Sequence, residues 1–223
     1  MIWFKDKEFV KALESCKILN KATLFPNKKD YIFFQFEKKW NEYFIKNVND
    51  IKKVREIIIN NKNIKDITWI WNFTNLIKLT IEKWNIQKWF KDFDKLKELK
   101  VLNLINCNLQ EIPKNIWNLK KLRVLCLKKN NIKTDTDNLY KLKELKVLDL
   151  SDNKIQNISY KITKLVNLLT LDLENNNIEK LPDYFNKLDF IILIILDFDK
   201  LKNIPKNLLK YKEKIDNYKD FDL

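Results

Sequence analysis

The sequence predicts an α/β solenoid, a stack of short units that each add one strand to a parallel sheet. Three observations carry this expectation. Apolar residues recur at a fixed period over most of the chain. Each recurrence alternates with period two, as a strand does. One unit is too short to bury its own apolar face, so neighbouring units must bury it for one another.

The period is 23 residues. Leu99, Leu102, Leu104, Cys107 and Leu109 are matched by Leu122, Leu125, Leu127, Asn130 and Ile132. The same spacing returns at Leu145, Leu148, Leu150, Asn153 and Ile155, and at Leu168, Leu171, Leu173, Asn176 and Ile178. Weaker copies extend it upstream through Leu76, Leu79, Ile81, Trp84 and Ile86, and, one residue out of step, through Val54, Ile57, Ile59, Lys62 and Ile64. Downstream lie Ile191, Ile194, Leu196, Asp199 and Leu201. The second half of a unit is patterned as well: Leu109, Ile112, Pro113, Ile116 and Leu119 are echoed by Ile178, Leu181, Pro182, Phe185 and Leu188. Leu201, Ile204, Pro205 and Leu208 begin that pattern again.

On these residues the chain resembles the leucine-rich-repeat family in its 23-residue form, over roughly 160 of 223 residues. The resemblance implies a leucine-rich-repeat horseshoe with a short parallel concave sheet. It also implies a ladder of asparagines, Asn130, Asn153 and Asn176, whose amides pair with backbone of the turn leaving each strand. Cys107 and Asp199 would stand in for asparagine, whereas Trp84 and Lys62 depart from the pattern. Pro113, Pro182 and Pro205 fix the dihedral where the return path begins. The fourth unit lacks that proline, and its polar stretch 133–138 reads as an irregularity.

A terminal unit exposes its apolar cross-section and needs a cap. Residues 1–53 carry no repeat, and Tyr31, Phe34, Phe36, Trp40, Tyr43 and Phe44 among charges point to a helical N-terminal cap. Seven repeats over 54–213 follow, then a polar tail, 214–223. The N-terminus is interrupted by charges before any apolar signal region forms. The longest apolar run, Phe190 to Leu196, is too short for a bilayer, which needs about 20 residues. Three scattered cysteines fit a reducing compartment. A cytoplasmic protein is expected.

Composition narrows the chemistry. There is no glycine, which excludes a phosphate-cradling P-loop and a dinucleotide fingerprint. There is no histidine, the commonest general base and zinc ligand. No catalytic set, metal or cofactor is expected. The net charge of +14 fits a nucleic-acid or anionic membrane partner. It equally fits the Lys-, Asn- and Ile-rich usage of an AT-rich genome.

The non-leucine strand positions are expected to face solvent on the concave side, in three columns. Ile58, Thr80, Asn103, Cys126, Asp149, Asp172 and Ile195 form the first. Asn60, Glu82, Ile105, Lys128, Ser151, Glu174 and Asp197 form the second, and Asn61, Lys83, Asn106, Lys129, Asp152, Asn175 and Phe198 the third. Partner-binding residues are expected at Asn103, Ile105, Asn106, Cys126, Lys128, Lys129, Asp149, Ser151, Asp152, Asp172, Glu174, Asn175 and Asp197. Units five to seven are acidic within a basic chain, which repels phosphates and suits a partner carrying Lys or Arg. Trp69 and Trp71 flank an inward Ile70 and are expected to face solvent. Cys126, beside Lys128, could have a lowered pKa but lacks a base. Asp149 and Asp172 could imitate a glycosidase dyad, although an open groove excludes little water. The expected function is a monomeric, non-catalytic protein-binding scaffold using the concave face. The alternative is a basic nucleic-acid or anionic membrane-surface binder using the Lys-rich convex side and the cap.

Overall fold

A computed structural model describes residues 55–209 except 61–67, 84, 87–91, 135–138, 189–190 and 205. The expected N-terminal cap and C-terminal tail lie outside the described residues, as do Trp84 and Lys62. Seven strands form one parallel sheet in chain order: β1 (Glu56–Asn60), β2 (Lys78–Glu82), β3 (Val101–Ile105), β4 (Val124–Cys126), β5 (Val147–Asp149), β6 (Thr170–Asp172) and β7 (Leu193–Ile195). Each strand pairs with the next in the period the sequence sets. Leu102 faces Leu125, Leu125 faces Leu148, Leu148 faces Leu171, and Leu171 faces Ile194.

The framework leucines are inside. Leu102, Leu125, Leu148, Leu171 and Ile194 are all fully buried, and their strand neighbours on either side are only partly covered. That alternation makes a single continuous core run from unit to unit. Backbone pairing continues past the short strands, with Leu127, Leu150 and Leu173 donating to the carbonyls of Asp149, Asp172 and Ile195 at 2.8, 2.8 and 2.9 Å. Between neighbouring strands the sheet therefore consumes its own donors and acceptors, and its solvent face presents side chains.

The return paths are 3-10 turns, including Lys114–Asn118, Leu139–Lys141, Tyr160–Lys164 and Asp183–Lys187. Pro113 and Pro182 enter two of them at φ −60° and −67°. Ser159 enters another, its side chain accepting from the Lys161 N–H at 3.3 Å. In the fourth unit Thr134 bridges to Asn157, and the rest of the polar stretch falls outside the described residues.

The asparagine ladder forms as the resemblance implies. Asn153 Nδ2 donates to the carbonyls of Leu127 and Leu150, each at 3.0 Å, and its Oδ1 accepts from the Ile132 N–H at 3.0 Å. Asn130 and Asn176 repeat this one unit either way. Cys107 keeps the donor half, its thiol reaching the Ile81 carbonyl at 3.3 Å. Asp199 does not take the ladder place. The seventh unit turns at Phe198–Lys200, which buries Phe198 and leaves Asp199 exposed.

Three further solvent-facing expectations are corrected, the first at Thr80, which is buried on β2 beneath the Asn103 amide that donates to its hydroxyl. Trp71 is buried, its ring 5.0 Å from that of Phe93, because the turn Thr68–Asn72 is 3-10 and does not alternate as a strand would. Ser151 is wholly buried, since its short hydroxyl folds back onto Asp149.

Candidate functional site

The solvent face of the sheet carries the residues the fold leaves unused. Its centre is the first column, Cys126, Asp149 and Asp172, brought into lateral register on β4, β5 and β6. Asp149 Oδ1 accepts from the Ser151 hydroxyl at 2.6 Å and N–H at 2.9 Å, and its Oδ2 accepts from the Cys126 thiol at 3.1 Å. Asp172 Oδ1 accepts from the Glu174 N–H at 3.0 Å. These bonds hold the carboxylates upright on the sheet. Further along the column Asn103 donates to the Thr80 hydroxyl at 3.0 Å, and Thr80 is buried.

Burial pushes the Asp172 carboxyl up to about 6, with the charges of Asp149 and Glu174 adding to the shift and the Glu174 N–H and Lys128 opposing it. Burial also pushes the Cys126 thiol up to about 12, and Asp149 adds to that. The lowered thiol pKa that Lys128 could have produced is therefore not found. Burial works against the Lys128 ammonium, but Asp152, Asp149 and Asp172 together hold its pKa above the ordinary value. Its ion pair with Asp152 spans 3.5 Å. One cation thus sits against a carboxylate-rich field.

The second column is less uniform than the sequence implies. Ile105, Lys128, Glu174 and Asp197 are half-buried on the face, while Ser151 is inside. Asp197 is further occupied by Lys200 at 3.0 Å. The third column is a row of corners. Asn106, Lys129, Asp152 and Asn175 have φ of 54°, 57°, 54° and 56°, in the left-handed region. Glycine normally takes such positions, and this chain has none. Asparagine and aspartate tolerate them best among the other residues. Asn175 also donates to Asp152 at 3.0 Å, tying adjacent corners together.

Reasoning from sequence missed a fourth column. Val101, Val124, Val147, Thr170 and Leu193 precede the inward leucines, are paired strand to strand, and are half-covered on the same face as Asp149 and Asp172. Strand alternation was the available signal, since residues on either side of an inward leucine share a face. The face therefore carries an apolar rail alongside the carboxylates. Among the described residues no group of His, Cys, Asp or Glu has the arrangement to hold a metal ion, and no helix is long and apolar enough to cross a membrane.

A family model described as Leucine Rich repeats (2 copies) matches residues 143–187, and one described as Leucine Rich Repeat matches residues 98–119. A search of curated proteins gives no match. Among solved structures the chain is similar to a leucine-rich-repeat protein of Leptospira interrogans, with a TM-score of 0.62 and 23% identity over 74% of this chain and 48% of that one. It is also similar to internalin C2 of Listeria monocytogenes, with a TM-score of 0.56 and 20% identity over 75% of this chain and 80% of that one. A second internalin of that organism has a TM-score of 0.53 and 24% identity over 66% of this chain and 48% of that one. These likenesses show the fold alone. The chain spans about half the length of the Leptospira protein.

Proposed function

The chain belongs to the leucine-rich-repeat family, and from that premise we propose that it is a scaffold whose protein partner docks on the concave sheet face. Proteins of this family generally mediate protein–protein interaction. The observation that carries the reading for this chain is the sheet face itself. Asp149, Asp172 and Glu174 stand beside an apolar rail, in a chain of net charge +14.

The partner's chemistry follows. Backbone groups between neighbouring strands are already paired, so docking on the face proceeds through side chains. Seven strands present a surface of the order of the roughly 800 Å² that a standard interface covers on each partner. Covering Asp172 further would deepen the burial that already raises its pKa. A Lys or Arg opposite it would hold it ionised, so the fitting partner is basic where it meets β5 and β6 and apolar where it meets Val124 and Val147. Binding suits these groups better than nucleophilic chemistry: the Cys126 thiol is held protonated, and Asp149 is tied up by Ser151 and Cys126.

The test keeps the acceptors and removes the charge. Asp149→Asn, Asp172→Asn and Glu174→Gln are combined, and partners captured from the native cell extract are compared with wild type. At least a tenfold loss of the captured protein is expected, with a folded protein confirmed by circular dichroism. Equal capture by both proteins would refute the concave reading.

A further inference from the structure

The return side carries a cluster that the sheet face does not explain. Trp117 and Tyr140 sit one period apart, in the turns Lys114–Asn118 and Leu139–Lys141. Tyr160 opens the next turn, and Tyr184 lies in the one after it. Lysines are interleaved with these rings. Lys141 Nζ lies 5.7 Å from the Trp117 centroid. Lys143 and Lys164 lie 5.6 and 5.1 Å from that of Tyr140, and Lys164 is also 5.7 Å from that of Tyr160. Tyr160 meets Tyr184 edge-on, with centroids 6.4 Å apart.

Three features make this a surface rather than a decoration. The ion pairs found among the described residues do not involve Lys141, Lys143 or Lys164, whose partners are rings. The turns Lys114–Asn118, Leu139–Lys141 and Tyr160–Lys164 contain no carboxylate, in contrast to the acidic sheet face. A ring face that a cation covers from solvent is also open to another flat group. Such contacts near the surface are weak, so the lysine can move off the ring to a stronger anion.

We propose that this aromatic–lysine ridge binds single-stranded nucleic acid, with bases stacked on Trp117, Tyr140 and Tyr160 and phosphates held by Lys141, Lys143 and Lys164. A single strand alternates aromatic bases with anions, as the ridge alternates rings with cations. A duplex hides its base faces and would engage only the lysines. An anionic bilayer needs apolar tips that project into it. Trp117 and Tyr184 instead pack half-buried on the core, with the Tyr184 hydroxyl anchored by donating to the Ile158 carbonyl, which leaves Tyr160 as the one exposed ring of the four. The proposal is independent of the concave reading.

The probe is a labelled oligouridine of about 12 nucleotides, within the range of single-strand sites, followed by fluorescence anisotropy on the full chain. Tyr140→Leu should weaken binding roughly tenfold or more, and Tyr140→Phe should leave it unchanged. Lys141→Gln, Lys143→Gln and Lys164→Gln together should weaken it at least tenfold and reduce the salt slope by about 2. Lys133→Gln, Lys154→Gln and Lys180→Gln, which remove three exposed charges elsewhere, should change it by less than about threefold. Neutralising Asp149, Asp172 and Glu174 should not weaken it. The proposal is overturned by equal losses in the two lysine sets, by equal affinity for a duplex of the same length, or by no loss in Tyr140→Leu. Binding to phosphatidylserine vesicles without oligouridine binding, or no binding at all, overturns it too.

Discussion

Asp172 shows how a half-enclosed sheet face acts on a single carboxylate. Its pKa stands at about 6, against an ordinary 3.8, with burial as the main cause. The folded chain therefore holds this proton more tightly than the unfolded chain does between about pH 4 and 6. Stability falls as pH rises through that window, and the deficit persists at pH 7. Around the group, Asp149 and Glu174 raise the pKa and Lys128 lowers it. Asp172→Asn keeps the acceptor for the Glu174 N–H and removes the charge. It should gain about 1 kcal/mol at pH 7, a value reduced for the solvent that still reaches the group. The gain should shrink toward zero near pH 3.5, as urea unfolding at the two pH values would show. At this scale the sequence was only partly legible. Asp149 and Asp172 could be placed on the face because they flank inward leucines. Ser151 could not, because in its column Lys128 and Glu174 are long enough to reach solvent, while a serine is short enough to turn back onto Asp149.

At the scale of the element, the turn after each strand depends on one amide. Asn153 satisfies three carbonyls, drawn from two successive units, and one N–H, all buried. Asn153→Ala leaves these groups without partners and should cost about 3 kcal/mol, whereas the exposed Asn177→Ala should cost less than about 0.5. Chemical denaturation of the two variants measures the contrast. The ladder was legible because a polar residue in fixed phase among leucines has to be paired. The left-handed corners at Asn106, Lys129, Asp152 and Asn175 were assigned instead to the binding surface. The signal was present in the complete absence of glycine, which forces other residues into those conformations. Phe198 departs from the outward column that the period predicts because a 3-10 turn interrupts the alternation in the seventh unit.

Across the whole molecule, the period determines the strand order, register and inward leucines, since each unit can be buried only by its neighbours. What the period leaves free is the identity of the outward residues, so the partner-facing columns had to be read one side chain at a time. The apolar rail from Val101 to Leu193 went unread for that reason, although alternation alone places it beside the carboxylates. The account rests on an inside made of leucines and an outside that is free to vary. Alanine scanning with melting and urea unfolding tests that division most directly. Leu148→Ala, which empties a fully buried site, should lose roughly 2–5 kcal/mol, and Leu125→Ala should behave alike. Asp172→Ala, on the outward position of the next strand, whose carboxylate accepts only from the N–H of the half-buried Glu174, should lose less than about 1 kcal/mol. Equal losses at the leucine and aspartate positions would contradict the assignment of the two faces, and with it the solenoid account.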